Sequence, residues 1–394
     1  MIDTNIDREG TDSVKIESSI DKFGTEDILP LWVADMDIAS PLCVQKAIRD
    51  RALHPIYGYT IYSDRYYKAI ERWIERGFGY RVDRDSIVPS YGVVPSISFA
   101  ISALSQKGDG VIIQTPIYPP FVASVQKHRR KVLNNRLLYS DGRYSIDFED
   151  FEAKASEAKI FLLCSPHNPT GRVWEKDELE RLIEICDRYG VVIVSDEIHS
   201  DIVYQKTHYS MASLASDNTI LLTAPSKSFN IAGLNSSYAI IPNRKIRKAY
   251  TNEQRKAGFS DGNIFGIEAL IASYTLADEW IDELRSYLED NIKLVNRLLV
   301  EYKLPIVSTP TEATYLMWLD CNALGLDDKE LERFFVYKAK LGLNSGVSFD
   351  KLGGSGFMRL NIATDKEVLK EAIGRLNRAY IELNDSRDSE SSSE

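Results

Sequence analysis

The stretch IFLLCSPHNPTGRVWEKDELERLIEICDRYGVVIVSDEIH, Ile160 to His199, decides the fold. It begins with the apolar run IFLLC (Ile160 to Cys164) and closes on VVIV (Val191 to Val194) followed by SDEIH. Such unbroken runs fit strands buried on both faces, whereas half-exposed strands alternate. Between the runs, Leu179, Leu182, Ile183 and Cys186 fall at i, i+3, i+4 and i+7. That spacing predicts one buried face of a helix, and Gly190 supplies its stop. Strand, helix and strand in this order form a crossover unit of a parallel sheet.

Working outward, VIIQ (Val111 to Gln114), ILLT (Ile220 to Thr223) and YAII (Tyr238 to Ile241) have the same unbroken character. The chain therefore reads as α/β, with a mostly parallel sheet flanked by helices. Beyond it the rhythm changes. Leu284, Leu288, Ile292, Val295 and Leu298 repeat at helical spacing, which predicts a long helix leading into another unit. TYLMWLD (Thr314 to Asp320) and FMRLNIA (Phe357 to Ala363) then read as strands of a smaller α+β domain. The expected organisation is an N-terminal arm and part of the small domain over 1–50, a large domain over 51–285, the rest of the small domain over 286–382, and a disordered polar tail over 383–394.

Composition excludes several classes. With 394 residues, 44% hydrophobic and 27% charged, the chain has the make-up of a globular enzyme. A net charge of −10 disfavours nonspecific binding to nucleic acid or anionic lipid. No apolar run approaches the ~18 residues of a membrane helix, and the N-terminus MIDTNIDREG lacks a signal-peptide core. Cys43, Cys164, Cys186 and Cys321 are far apart, and His54, His128 and His208 are scattered. A metal site and a disulfide framework are not expected, and a reducing cytoplasm is.

Three strand ends carry chemistry. Asn168 is presented by the Pro- and Gly-fixed turn SPHNPTG after IFLLC. Asp196 directly follows VVIV, where ligands of open α/β sheets gather. Lys227, in APSKSFN, lies just past ILLT; burial beside other cations would make its amine nucleophilic. Taken singly, each reads as an ordinary turn residue, helix cap or surface charge. Together their order and spacing resemble the fold-type I enzymes of aminotransferase class I/II, which use pyridoxal 5'-phosphate.

That resemblance implies a seven-stranded large-domain sheet and specific roles. Lys227 would bond the cofactor aldehyde, Asp196 would face the pyridine nitrogen, and Asn168 would bond the phenolate oxygen and help hold the substrate carboxylate. His199 stands three after Asp196, where many relatives carry Tyr. In YGVVPSI the amides of Val93 and Val94 would cradle the phosphate at a helix N-terminus, with Ser226 adding a hydroxyl. Tyr118 of TPIYPPF would stack on the pyridine and take part in catalysis. Arg359, an arginine inside an apolar strand, would grip the substrate carboxylate with both arms of its fork. Asn235 replaces the phosphate-binding arginine found in many members.

WVADMD, YGYT, SPHNPTG, SDEIH and SKSFNIAGL in this order resemble the cystathionine β-lyase-like C–S lyases of the MalY/PatB type, over roughly residues 25 to 382. This implies an amino-acid substrate such as cystathionine, cleaved to pyruvate, ammonia and a thiol. It also implies a homodimer with shared active sites, in which Tyr59 of YGYT reaches the partner's cofactor phosphate. Aminotransfer on the same scaffold is the alternative, since the cofactor carries the hard step in both. A regulatory protein with this fold is a further alternative, weakened by the complete catalytic set and the lack of an appended DNA-binding domain.

Overall fold

Alternate residues of the apolar runs divide between two layers, as the pleat of a strand requires. In a computed structural model, which describes residues 2–4, 6–215, 217–259 and 261–391, the runs become a seven-stranded sheet. Its strands are β1 (Ile87–Ser90), β2 (Gly110–Ile113), β3 (Lys131–Asn134), β4 (Ala158–Cys164), β5 (Val192–Asp196), β6 (Thr219–Thr223) and β7 (Ser237–Ile240). Their spatial order is β1-β7-β6-β5-β4-β2-β3. All pairings are parallel except those of β7, which runs against both β1 and β6.

Ile112, Phe161, Leu163 and Ile193 pack to one side, with Trp174, Leu179 and Leu182. Val111, Ile113, Ile160, Leu162 and Val194 pack to the other, with Ile97, Ala100 and Ile101. The latter three belong to helix α1 (Val93–Leu104). Helix α2 (Lys176–Tyr189) is the crossover between β4 and β5. It opens with a reciprocal capping box between Glu175 and Glu178, and ends at Gly190, whose φ of 67° suits a residue without Cβ. Its buried residues are Leu179, Leu182, Ile185 and Cys186, so Ile185 takes the inward place that spacing gave to Ile183.

Helix α3 (Asp278–Glu301) buries Leu284, Leu288, Ile292, Val295 and Leu298, the positions its spacing indicated. The expected 285/286 division falls inside this helix, not between elements. Beyond it lies a four-stranded antiparallel sheet. Its strands are β8 (Val307–Ser308), β9 (Leu316–Asp320), β10 (Asn344–Ser345) and β11 (Phe357–Asn361), in the order β8-β9-β11-β10. Strand β9 begins only at Leu316 because Thr314 is left-handed, with φ 69°.

The last helix, α4, spans Lys366–Ser391 and so runs through most of the expected tail. Arg387 fastens it by donating to the Leu324 carbonyl at 3.0 Å. Residues 392–394 lie outside the described residues.

The N-terminal segment returns across the small sheet. Leu29–Pro30 pair in parallel with Leu341–Gly342, and Asn361 N–H donates to the Leu31 carbonyl at 3.0 Å. This carries residues 32–37 as a strap between the two sheets. No helix of the described residues is long and apolar enough to cross a membrane.

Candidate active site

Strands β4, β5 and β6 are neighbours, so their carboxyl ends open onto one place. Asn168 follows β4, Asp196 ends β5, and Lys227 follows β6. The turn carrying Asn168 is held from both sides. His167 and Thr170 side chains bond at 2.9 Å, and the Glu312 and Ala313 N–H groups both donate to the Gly171 carbonyl at 3.0 Å. Gly171 has φ 71°, and a Cβ there would come within 3.3 Å of Thr311 Cα. Only glycine admits the 311–313 segment so close to the turn.

Asp196 is 6% exposed. One of its oxygens accepts from Ile198 N–H at 3.1 Å. The adjacent Glu197 anchors the loop by accepting from Ser195 Oγ and Met211 N–H, while its other oxygen pairs with His208 Nε2 at 2.9 Å. Burial pushes the Asp196 carboxyl from 3.8 up to about 7, against the pull of Ile198 N–H and Lys227. Lys227 Nζ donates to the Ala34 carbonyl at 2.6 Å. Burial and then the Arg359 charge lower its amine from 10.5 to about 8, with Asp35 and Asp196 opposing. The two groups thus titrate close to neutrality, from opposite directions.

Arg359 comes from β11 and is 4% exposed. Nη1 donates to Asn168 Oδ1 and Nη2 to the Trp32 carbonyl, both at 3.0 Å. Its guanidinium lies 4.8 Å from the centre of the Phe349 ring. Burial lowers it to about 10. His199 is 2% exposed, and burial holds its imidazole neutral, down at about 3. Tyr118 is part-buried; burial lifts its phenol, and the charges of Arg359 and Asp196 also act on it.

The phosphate candidates lie at the N-terminus of α1. Among the described residues no side chain caps it, and Ser96 Oγ turns back to the Gly92 carbonyl at 2.8 Å. The first-turn amides of Val93 and Val94 are therefore left for an anion. Ser226 sits in the turn before Lys227, half-buried. Asn235 ends a short helical turn with φ 47°, a conformation that asparagine tolerates well. Tyr59 is 99% exposed and stands apart from the buried cluster.

Tyr315 went unread in the sequence. It is fully buried, and its hydroxyl donates to the same Ala34 carbonyl at 2.9 Å. Its ring meets that of His199 at 6.0 Å, edge to face. An aromatic in an apolar strand pattern carries no signal apart from packing. Asn361 was also missed, although a second polar residue two after Arg359 marks the same face of β11.

Two buried polar atoms of this cluster, Arg359 Nε and His199 Nδ1, have no hydrogen-bond partner among the described residues. Buried polar groups are rarely left so, and a polar ligand accounts for both. A lowered amine, a buried carboxylate, an open helix N-terminus and an unpartnered guanidinium Nε fit pyridoxal 5'-phosphate with an amino-acid substrate.

Fold and site together define an enzyme of aminotransferase class I and II, and the chain belongs to that family, whose pattern matches residues 26–376. It is 40% identical to cystathionine beta-lyase PatB of Bacillus subtilis over 383 residues, covering 96% of this chain and 99% of that one. It is 34% identical to protein MalY of Escherichia coli, covering 95% and 97%. Among solved structures, cystalysin of Treponema denticola, which contains a pyridoxal 5'-phosphate cofactor, superposes with a TM-score of 0.93 at 33% identity, covering 96% of this chain and 98% of that one.

The raised Asp196 value has a consequence for stability. Its folded value lies above the unfolded one, so the penalty is absent below about pH 4, grows between about pH 4 and 7, and stays constant above that. In cofactor-free protein, Asp196→Asn should stabilise the fold by roughly 4 kcal/mol at about pH 8 and by almost nothing at about pH 4. Urea titrations at the two pH values check this. Equal effects at both would contradict it.

Proposed function

We infer that the chain is a pyridoxal-phosphate-dependent carbon–sulfur β-lyase, converting cystathionine or a related S-substituted cysteine and water to pyruvate, ammonia and a thiol. The observation that carries this is the grouping of Lys227 with Asp196 and Arg359, whose charges act on its amine, in a chain 40% identical throughout to a cystathionine beta-lyase.

When bound, the cofactor supplies an electron sink for the pair left behind as the substrate's Cα proton departs. Lys227 would hold its aldehyde, Asp196 its ring nitrogen, Asn168 and His199 its phenolate side, and Tyr118 one face of the ring. The amides of Val93 and Val94 and the Ser226 hydroxyl would hold the phosphate.

The remaining work belongs to side chains. Arg359, with Asn168 beside it, holds the α-carboxylate; its planar fork fixes the substrate's orientation as a point charge would not. Lys227 Nζ takes the Cα proton, for which the amine must be neutral. Burial and the Arg359 charge serve that need by lowering it to about 8. Asn168, Asp196, His199 and Arg359 are buried, so their interactions with the substrate would be less screened than in water.

We also propose that the working form is a homodimer in the cytoplasm. The motivation is Tyr59, exposed here with its neighbours Ile56, Tyr57 and Ile61. Four large apolar side chains within six residues form a face for a second copy. Tyr59 of the partner subunit would then complete the phosphate site.

The first test is incubation of the holoenzyme with L-cystathionine. Pyruvate, ammonia and free thiol should appear in equal amounts. Amino transfer to a 2-oxo acid without thiol release would contradict the lyase reading. The second test mixes Tyr59→Phe with Lys227→Ala subunits. Random exchange puts one intact site in half of the dimers, so activity should recover to about a quarter of wild type. No recovery after verified exchange would rule out sharing.

A further inference from the structure

The strap of residues 32–37 bonds to both sheets. Trp32 accepts from Arg359 Nη2 at 3.0 Å and from Asn344 Nδ2 at 2.6 Å. Asn361 Nδ2 donates to the Val33 and Asp35 carbonyls, both at 2.6 Å, and its Oδ1 accepts from Ala363 N–H at 2.8 Å. Asn230 accepts from Met36 N–H at 3.1 Å and donates to the Met36 and Ile38 carbonyls at 2.8 Å. Outside, Arg8 pairs with Asp35 and Asp37 at 2.6 and 2.8 Å, and the buried Lys15 pairs with Asp37 at 2.6 Å.

The Ala34 carbonyl is thereby fixed from both sides of the peptide. Its two lone pairs take two donors, Lys227 Nζ at 2.6 Å and Tyr315 Oη at 2.9 Å. Neither donor is placed by accident of surface packing, since Tyr315 is fully buried and anchored against His199.

We propose that the Ala34 carbonyl and the Tyr315 hydroxyl form a rest for the Lys227 amine, with Tyr315 acting as a positioning residue that keeps this amine neutral and turned for proton transfer. A neutral lysine amine has two N–H bonds and one lone pair. Donating one N–H to a fixed carbonyl stops rotation about Cε–Nζ and turns the lone pair away from Ala34. Whenever Nζ is not bonded to the cofactor, the Ala34 carbonyl would give it such a rest before it accepts the Cα proton.

The hydroxyl has a second effect. Its hydrogen points at the oxygen that an ammonium would otherwise claim alone, so it disfavours the charged form. The other groups acting on Lys227 are Arg359, which also disfavours the charge, and Asp35 and Asp196, which favour it. His199, Tyr118 and Tyr315 are the remaining titratable neighbours; burial keeps His199 neutral and lifts both phenols.

This inference rests on the lyase reading for its catalytic consequence but not for its first readout. Tyr315→Phe keeps the ring and its packing while removing the hydroxyl. In cofactor-free protein, added pyridoxal phosphate is captured by Nζ attacking the aldehyde carbon, with loss of one water, and the visible band reports the rate. For wild type the rate should rise with pH through a midpoint near 8. In Tyr315→Phe the midpoint should move upwards by roughly half a unit or more.

In the holoenzyme, kcat on L-cystathionine should fall about tenfold while KM stays within about twofold. An unmoved midpoint would overturn the proposal, and so would a variant that loses only thermal stability. A shifted midpoint in a protein whose wild type releases no thiol would sink the lyase reading and leave the rest standing. An unmoved midpoint in an active lyase would do the reverse.

Discussion

The Ala34 carbonyl accepts one hydrogen bond from Lys227, just past β6, at 2.6 Å and another from Tyr315, just before β9, at 2.9 Å. Two residues earlier on the strap, the Trp32 carbonyl accepts from Arg359. A single stretch of backbone thus ties the Lys227 amine and the Arg359 guanidinium to one another. Neither group could be placed by its own long, flexible side chain alone, because each would lose too much rotamer entropy for one weak contact. The strap supplies fixed acceptors, and Asn361 and Asn230 supply the fixing.

The second constraint is electrostatic. Burial makes the Asp196 carboxyl harder to ionise and the Lys227 ammonium easier to neutralise, bringing them to about 7 and about 8. The site is therefore costly in the folded protein without its cofactor, as functional sites commonly are. A positively charged ring nitrogen beside Asp196 would relieve that cost. Such a contact would couple cofactor binding to the stability of the fold through this carboxylate.

Much of the fold was legible because buried strands leave unbroken apolar runs, and the three neighbouring strand ends could be read directly. Asn168, Asp196 and Lys227 each stand at the close of such a run. Arg359 was visible as a charge in an otherwise apolar strand. The strap was less legible. WVADMD contains its residues, but its work is done by backbone carbonyls, and these have no letter in a sequence. Tyr315 hides for a different reason, since its ring packs as any core aromatic would while only its hydroxyl does chemistry. The polar C-terminal stretch reads as a tail by composition, yet continues α4 because the helix has a neighbour to hold Arg387. Tyr59 is almost wholly exposed, so burial within one chain gives its position no explanation.

Lys227, and no other of the chain's lysines, should meet the cofactor. Borohydride reduction of the pyridoxal-phosphate-loaded protein, followed by peptide mapping, tests it most directly. The account predicts a single labelled peptide spanning Ala224 to Asn230, with the added mass on Lys227. A label on another lysine, with Lys227 unmodified, would contradict it.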